Sequence, residues 1–243
     1  MILILDELLG YQPDLVLIYT GHNEFEELEQ LELADLETLR LRKTLGSLAI
    51  FRLLRDWLIT RSTEKLREAH NRRVLQTHNP DPARAWAHPF TQEDVAHRMQ
   101  AFRRNLEHML SRCQENGVPV ILGTVPSNLV RPYLPKEAWQ RYQVPWHRYE
   151  QGRWRDGMAL GRQILRSTLG RHQASDAEND IIREVARQQG VSLADVEAAV
   201  IRQEPNGVPG ETLFRDHCHL NETGNQLWRE TYEALIRTAL PAH

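Results

Sequence analysis

The chain has 243 residues, 41% hydrophobic and 26% charged, a globular profile that excludes a disordered, collagen-like or low-complexity protein. Its 30 basic and 33 acidic residues are interspersed and sum to −3, so nothing provides the broad basic surface that nucleic acid needs, and no apolar run approaches the roughly 20 residues of a membrane span. Two cysteines, Cys113 and Cys218, cannot build a disulfide framework, although a single bridge stays open, and Met1 to Gly10 carries acids where a secretory signal carries bases, so the compartment is not fixed.

Ile2, Leu5, Leu8 and Leu9 recur at helical spacing before Gly10, which reads as a helix and its stop. The run Asp14 to Thr20 is continuously apolar after Pro13, the pattern of a strand covered on both faces of a parallel sheet. From Leu33 to Thr60 the pattern turns helical, with Leu45, Leu48, Phe51, Leu54 and Leu58 on one face. Such a stripe packs on its own protein, and a helix lying on a membrane surface has the same look. Residues 61–90 are polar and end in a proline-bearing loop.

The clearest helix follows Thr91, an N-cap with Asp94 three positions on. Val95, Met99, Phe102, Leu106, Met109, Leu110 and Cys113 share a face, which puts Cys113 in the core, and Gly117 ends the helix. Val118 to Val125 is a second buried strand, and helix followed by parallel strand is the crossover unit of a doubly wound sheet. Residues 132–172 mix aromatics with arginine in helical stretches on either side of Gly152. They read as a packed helical insertion, with stacking on nucleobases or sugars as the alternative. Another helix runs from Ser175 or Asp176 to Gln189 with Gly190 as its cap, then a short strand near Val191 to Leu193. Glu204 to Arg215 is a loop, and the last helix starts after Asn221.

Two stretches carry candidate chemistry. Gly21-His22-Asn23-Glu24 follows the carboxyl end of a buried strand, where open α/β sheets place their ligands. Glycine permits a sharp turn there, and the Asn23 amide can donate to a developing oxyanion; read alone, the same residues make an ordinary turn. Asp216-His217-Cys218-His219 lies on the loop before the last helix. An aspartate three residues ahead of a histidine can accept from one imidazole nitrogen and free the other, which makes His219 a general base, while the plainer reading is a polar turn capped by Asn221. His217, Cys218 and His219 also invite zinc, but adjacent positions point apart, and only Asp216 with His219 has the usual ligand spacing, so no metal is expected.

Taken together and in order, Pro13-Asp-Leu-Val-Leu-Ile-Tyr-Thr-Gly-His-Asn-Glu24 and Leu213-Phe-Arg-Asp-His-Cys-His-Leu-Asn-Glu-Thr-Gly224 resemble the Gly-x-Asn-Asp and Asp-x-x-His blocks of the SGNH/GDSL hydrolase family, with Pro126-Ser127-Asn128 after the intervening strand. Bacterial members with a helical, sometimes tetratricopeptide-like, insertion before the last strand are the most similar, and Trp154 to Arg171 is a shortened version. The resemblance implies one α/β domain over residues 1–243, a flavodoxin-like parallel sheet of the SGNH type with helices on both faces and mainly helical insertions at 33–90 and 132–172. It implies an esterase, or GDSL-like lipase, acting on small O-acyl or carboxylic esters, glycan esters among them, without metal or organic cofactor. His219 is then the base, Asp216 its orienting carboxylate and Asn23 the oxyanion donor. Glu24 stands where the family has aspartate, and His22 occupies a variable position without a catalytic role.

The family's serine block and a glycine donor precede the strand that begins here at Asp14. None of Ser47, Ser62, Ser111, Ser127, Ser167, Ser175 and Ser192 sits in a comparable turn. The resemblance therefore implies a C-terminal portion that lacks the first strands of its sheet and its nucleophile, weakly active or inactive alone. The parent would be exported or membrane-anchored, as family members often are, and the open sheet edge favours self-association. A non-catalytic binding or assembly module using the aromatics from Tyr133 to Trp154 is the alternative.

Overall fold

The structure, a computed structural model, describes residues 2–25 and 90–240, all within one unit formed by residues 1–25 and 89–243. The helical stripe read at Leu33 to Thr60 and nearly all of the insertion at 33–90 lie outside the described residues. In chain order the elements are α1 (Ile2–Leu9), β1 (Val16–Tyr19), α2 (Gln92–Glu115), β2 (Val120–Gly123), α3 (Lys136–Glu150), α4 (Trp154–Ser167), α5 (Asp176–Gln189), β3 (Ser192–Ala194), α6 (Val196–Gln203) and α7 (Glu222–Ala239). Among the described residues this is an α/β fold with three parallel strands in the order β1-β2-β3 and seven helices, consistent with an open sheet of flavodoxin-like kind. Val16 pairs with Val120 and Tyr19 with Gly123, and Ile121 pairs with Ser192 on the other side.

The sheet buries two faces because successive strand side chains alternate. Val120 and Leu122 join Leu5, Leu9, Phe102, Leu106 and Ile182 on the side of α1, α2 and α5. Ile121 points the other way, to Ala194, Val200 and Tyr232 beneath α6 and α7. Gly123 ends β2 where a side chain has no room, since a Cβ there would lie 1.8 Å from the Tyr232 hydroxyl.

Strand β1 departs from its expected burial on both faces. Ile18 is buried but Leu17 is 39% exposed, because β1 is the end strand among the described residues and α7 packs over β2 and β3 instead. Leu8, read as part of the apolar face of α1, is likewise 48% exposed, while Leu5 and Leu9 carry the packing. No helix among the described residues is long and apolar enough to cross a membrane.

Local signals set the helix ends. Thr91 and Asp94 form a reciprocal capping box at α2, Ser175 and Glu178 form another at α5, and Gly190 closes α5 in the left-handed region at φ +65°. Asn221 caps α7 by accepting from the Gly224 amide. Helix α6, whose eight residues follow the Asp195 cap, is an addition to the sequence reading. The aromatics of 132–172 mostly pack: in the α3–α4 hairpin Tyr149 and Tyr142 fill the space over Gly157 and Gly161, where a Cβ would approach each ring system to 2.5 Å.

Candidate functional site

Three segments beyond the carboxyl ends of β1 and β2 build the site: the turn at 21–25, the loop after β2, and the loop before α7. At the first, Gly21 adopts φ +149°, and a Cβ there would meet Val125 Cγ2 at 2.7 Å, so the turn requires glycine on both counts. The turn is anchored from below. Glu24 is buried and takes Arg98 of α2 through Nε at 2.9 Å, and the Arg171 guanidinium lies 4.8 Å above the Phe25 ring. Arg171 itself is fully buried against Glu178. Glu24 is thus an anchor of the turn. Asn23 is exposed and hydrogen-bonds to neither Asp216 nor His219.

The loop before α7 is closed on itself by Arg215 N donating to His219 O at 2.8 Å and Asn221 N donating to Leu213 O at 2.9 Å. Within it, Asp216 Oδ1 accepts the backbone amides of Cys218 and His219 at 2.9 and 2.8 Å. Its second oxygen, Oδ2, lies 2.8 Å from His219 Nδ1. Partial burial works against the Asp216 charge, but the two amides and the imidazole outweigh it and hold the carboxyl near 2. An ionised Asp216 fixes the proton of a neutral His219 on Nδ1 and leaves Nε2 as a base, on a side chain 63% exposed.

The loop after β2 holds this arrangement in place. Asn128 donates its Nδ2 to Asp216 O at 3.1 Å and its backbone amide to His217 O at 3.0 Å, while its Oδ1 accepts the amides of Val130 and Arg131. Tyr133 packs edge-on against His172 at 4.8 Å and tilted against His217 at 5.3 Å. Burial, with His217 nearby, pushes His172 down to about 4, and burial also lowers His217. His22 joins the group through its Nδ1, which accepts the Ala174 amide at 3.2 Å, and it lies within the fields of His217, His219 and Asp216.

The structure therefore brings Asp216 and His219 together as the spacing predicts and adds His22, Asn128, Tyr133 and His172 around them. The sequence assigns Asn128 no role. A lone asparagine after Pro126-Ser127 carries no signal that it will clamp a loop some ninety positions away, a distance set by the sheet and not by the local pattern.

Ser127, which follows the second strand, is buried and donates to Ala174 O at 2.7 Å. Among the described residues no serine hydroxyl hydrogen-bonds to His219. Contrary to the expectation that adjacent positions point apart, Asp216, His217 and Cys218 offer ligand atoms within 4.8 Å of one another. Both Asp216 oxygens already face hydrogen-bond donors, Oδ1 the amides of Cys218 and His219 and Oδ2 the imidazole Nδ1, and burial followed by the Asp216 charge raises the Cys218 thiol to about 12. Both cysteines are free. Beside the loop, Arg215, Leu220, Asn221 and Arg229 line an open groove of about 530 Å³.

Compared with known proteins, the chain matches no protein-family model and no curated protein sequence.

Proposed function

We propose that the chain carries the acid–base part of an ester hydrolase of the SGNH/GDSL type. His219 takes the proton of an attacking hydroxyl, Asp216 orients the imidazole and steadies its charged form, and Asn23 donates to the oxyanion. Water then repeats the cycle on the acyl group. The observation that supports this best is the 2.8 Å contact of Asp216 Oδ2 with His219 Nδ1, made by an imidazole side chain that is 63% exposed. Small O-acyl groups on sugars or polymers are the proposed substrates. The same reading proposes self-association through the outer edge of β1.

The resemblance sets the attacking serine ahead of the strand at Asp14 to Thr20, and none of the described serines substitutes for it. The proposal for this chain alone is therefore slow, serine-independent turnover of an activated ester such as p-nitrophenyl acetate. In that turnover His219 Nε2, oriented by Asp216, acts as the general base for water itself, so the rate depends on His219 without a serine. Turnover that falls at least about tenfold in His219→Ala and survives chelator supports the reading. Turnover indifferent to His219 overturns it, and turnover lost with chelator favours a metal hydrolase on Asp216 and His219. A fluorophosphonate that labels a serine of this chain, with labelling lost in His219→Ala, supports the hydrolase and overturns the placement of the nucleophile. Glycan binding lost on replacing Trp146 and Trp154, with no hydrolysis, favours the binding module.

A further inference from the structure

His22 stands one residue before Asn23 in the turn after β1, and the chemistry of the dyad does not use it. Its Nδ1 lies 3.2 Å from the backbone nitrogen of Ala174. A peptide N–H only donates, so Nδ1 accepts, and the neutral ring carries its proton on Nε2. That Nε2 is closed to solvent and has no hydrogen-bond partner. A buried donor without an acceptor lowers stability, and a functional role is one of the few accounts of why such a donor persists. Protonating Nδ1 gives no relief, since it forfeits the Ala174 bond and sets a buried cation near His217 and His219. Burial first, and those two rings next, keep His22 down to about 3, so it remains neutral over the whole working range of pH. A ring that already holds its Nε2 proton and cannot gain another is not a base. What it can do is donate.

We propose that His22 Nε2–H is a substrate-binding donor that takes an acyl oxygen, carbonyl or carboxylate, in the site formed with Asp216 and His219. The proposal rests on the ester hydrolase reading and extends it. His22 and Asn23 then present two consecutive donors from one turn, the buried one first and the exposed one second. A donor shielded from water acts on an oxygen in a low-dielectric setting, where a fixed dipole counts for more than it does in solvent. Nε2 is closed to solvent in this structure, so a ligand reaches it only when its surroundings open.

The test uses the whole chain, labelled with nitrogen-15, and reads its imidazole N–H correlations. His22 should appear as the Nε2–H tautomer and fail to titrate between about pH 5 and about pH 8. Acetate, a simple product-like carboxylate, should shift that N–H signal. His22→Ala should bind acetate about tenfold more weakly, and His22→Gln, whose amide keeps a donor near the same point, should recover most of the loss. An Nδ1–H tautomer or an ordinary titration near neutrality overturns the proposal whatever the protein hydrolyses. Acetate that shifts His219 and Asn23 but leaves His22 unmoved overturns the assignment of His22 and leaves the hydrolase reading standing. Acetate that shifts none of the three overturns both.

Discussion

Asn128 and Asp216 lie 88 positions apart in the chain and are joined by a 3.1 Å hydrogen bond from the asparagine Nδ2 to the aspartate backbone carbonyl. The contact leaves both carboxylate oxygens of Asp216 free for the turn and the imidazole. Asn128→Ala removes this bond and the two amides that its Oδ1 accepts, and it strands buried polar groups. The expected cost is about 1–3 kcal/mol of stability. His219 should lose its fixed tautomer in the same variant while β1 and β2 keep their amide protection from exchange. Unchanged thermal stability together with an unchanged imidazole spectrum would show that the clamp is dispensable.

Asp216→Asn separates the two duties of that side chain. The amide oxygen can still accept from Cys218 N and His219 N, so the turn should persist. The amide nitrogen cannot accept from Nδ1, so the imidazole should shift its proton to Nε2. Residual ester turnover should then fall with little change in melting temperature; the equivalent change in a serine protease lowers kcat by about 10⁴. A large fall in melting temperature with the tautomer preserved would contradict the assignment.

Stability should decline in mild acid. His22 is held near 3 and His172 near 4, in both cases by burial first, so each stays neutral in the folded chain. The unfolded chain takes up protons on both below an ordinary histidine value of about 6.5. The unfolded state therefore binds more protons, and stability falls as pH drops from about 6.5 toward 3, by as much as about 1.4 kcal/mol per pH unit for each group. Asp216, held near 2, adds a loss of its own only below about pH 4. Urea midpoints at several pH values between about 7.5 and about 4.5 measure the slope, and His172→Gln should flatten it. A flat profile in the parent protein would refute the neutral-histidine cluster.

The buried pair of Glu24 and Arg98 should show the cost of removing one charge of a buried ion pair. Arg98→Met leaves the Glu24 carboxylate buried without its guanidinium and is expected to cost about 3–5 kcal/mol. Adding Glu24→Gln should restore part of that loss. Chemical denaturation of the single and double variants checks the expectation, and equal destabilisation in both would place the effect elsewhere than in the pair.

Much of this framework was legible in the sequence because its signals are local. Thr91 with Asp94, Ser175 ahead of Gly190, and Asn221 mark helix ends within a few residues of themselves, and the apolar runs at Val16 and Val120 mark strands of a parallel sheet. The contact of Asp216 with His219 was legible for the same reason, since both lie on one turn. Other features depend on contacts that no window of sequence contains. Leu17 is exposed because of where α7 packs, Gly123 answers to Tyr232 of a helix a hundred positions on, and the His22 ring is fixed by the backbone of Ala174. Helix α6 went unread because its eight residues follow β3 with one intervening position and offer too short a period to stand out.

The turn that closes on Asp216 Oδ1 belongs to the same four residues that end in His219, so carboxylate and imidazole form one cassette. Grafting Asp216 to His219 alone into another loop should yield a floppy pair. Carrying Asn128 and its loop along with them should transplant the geometry whole.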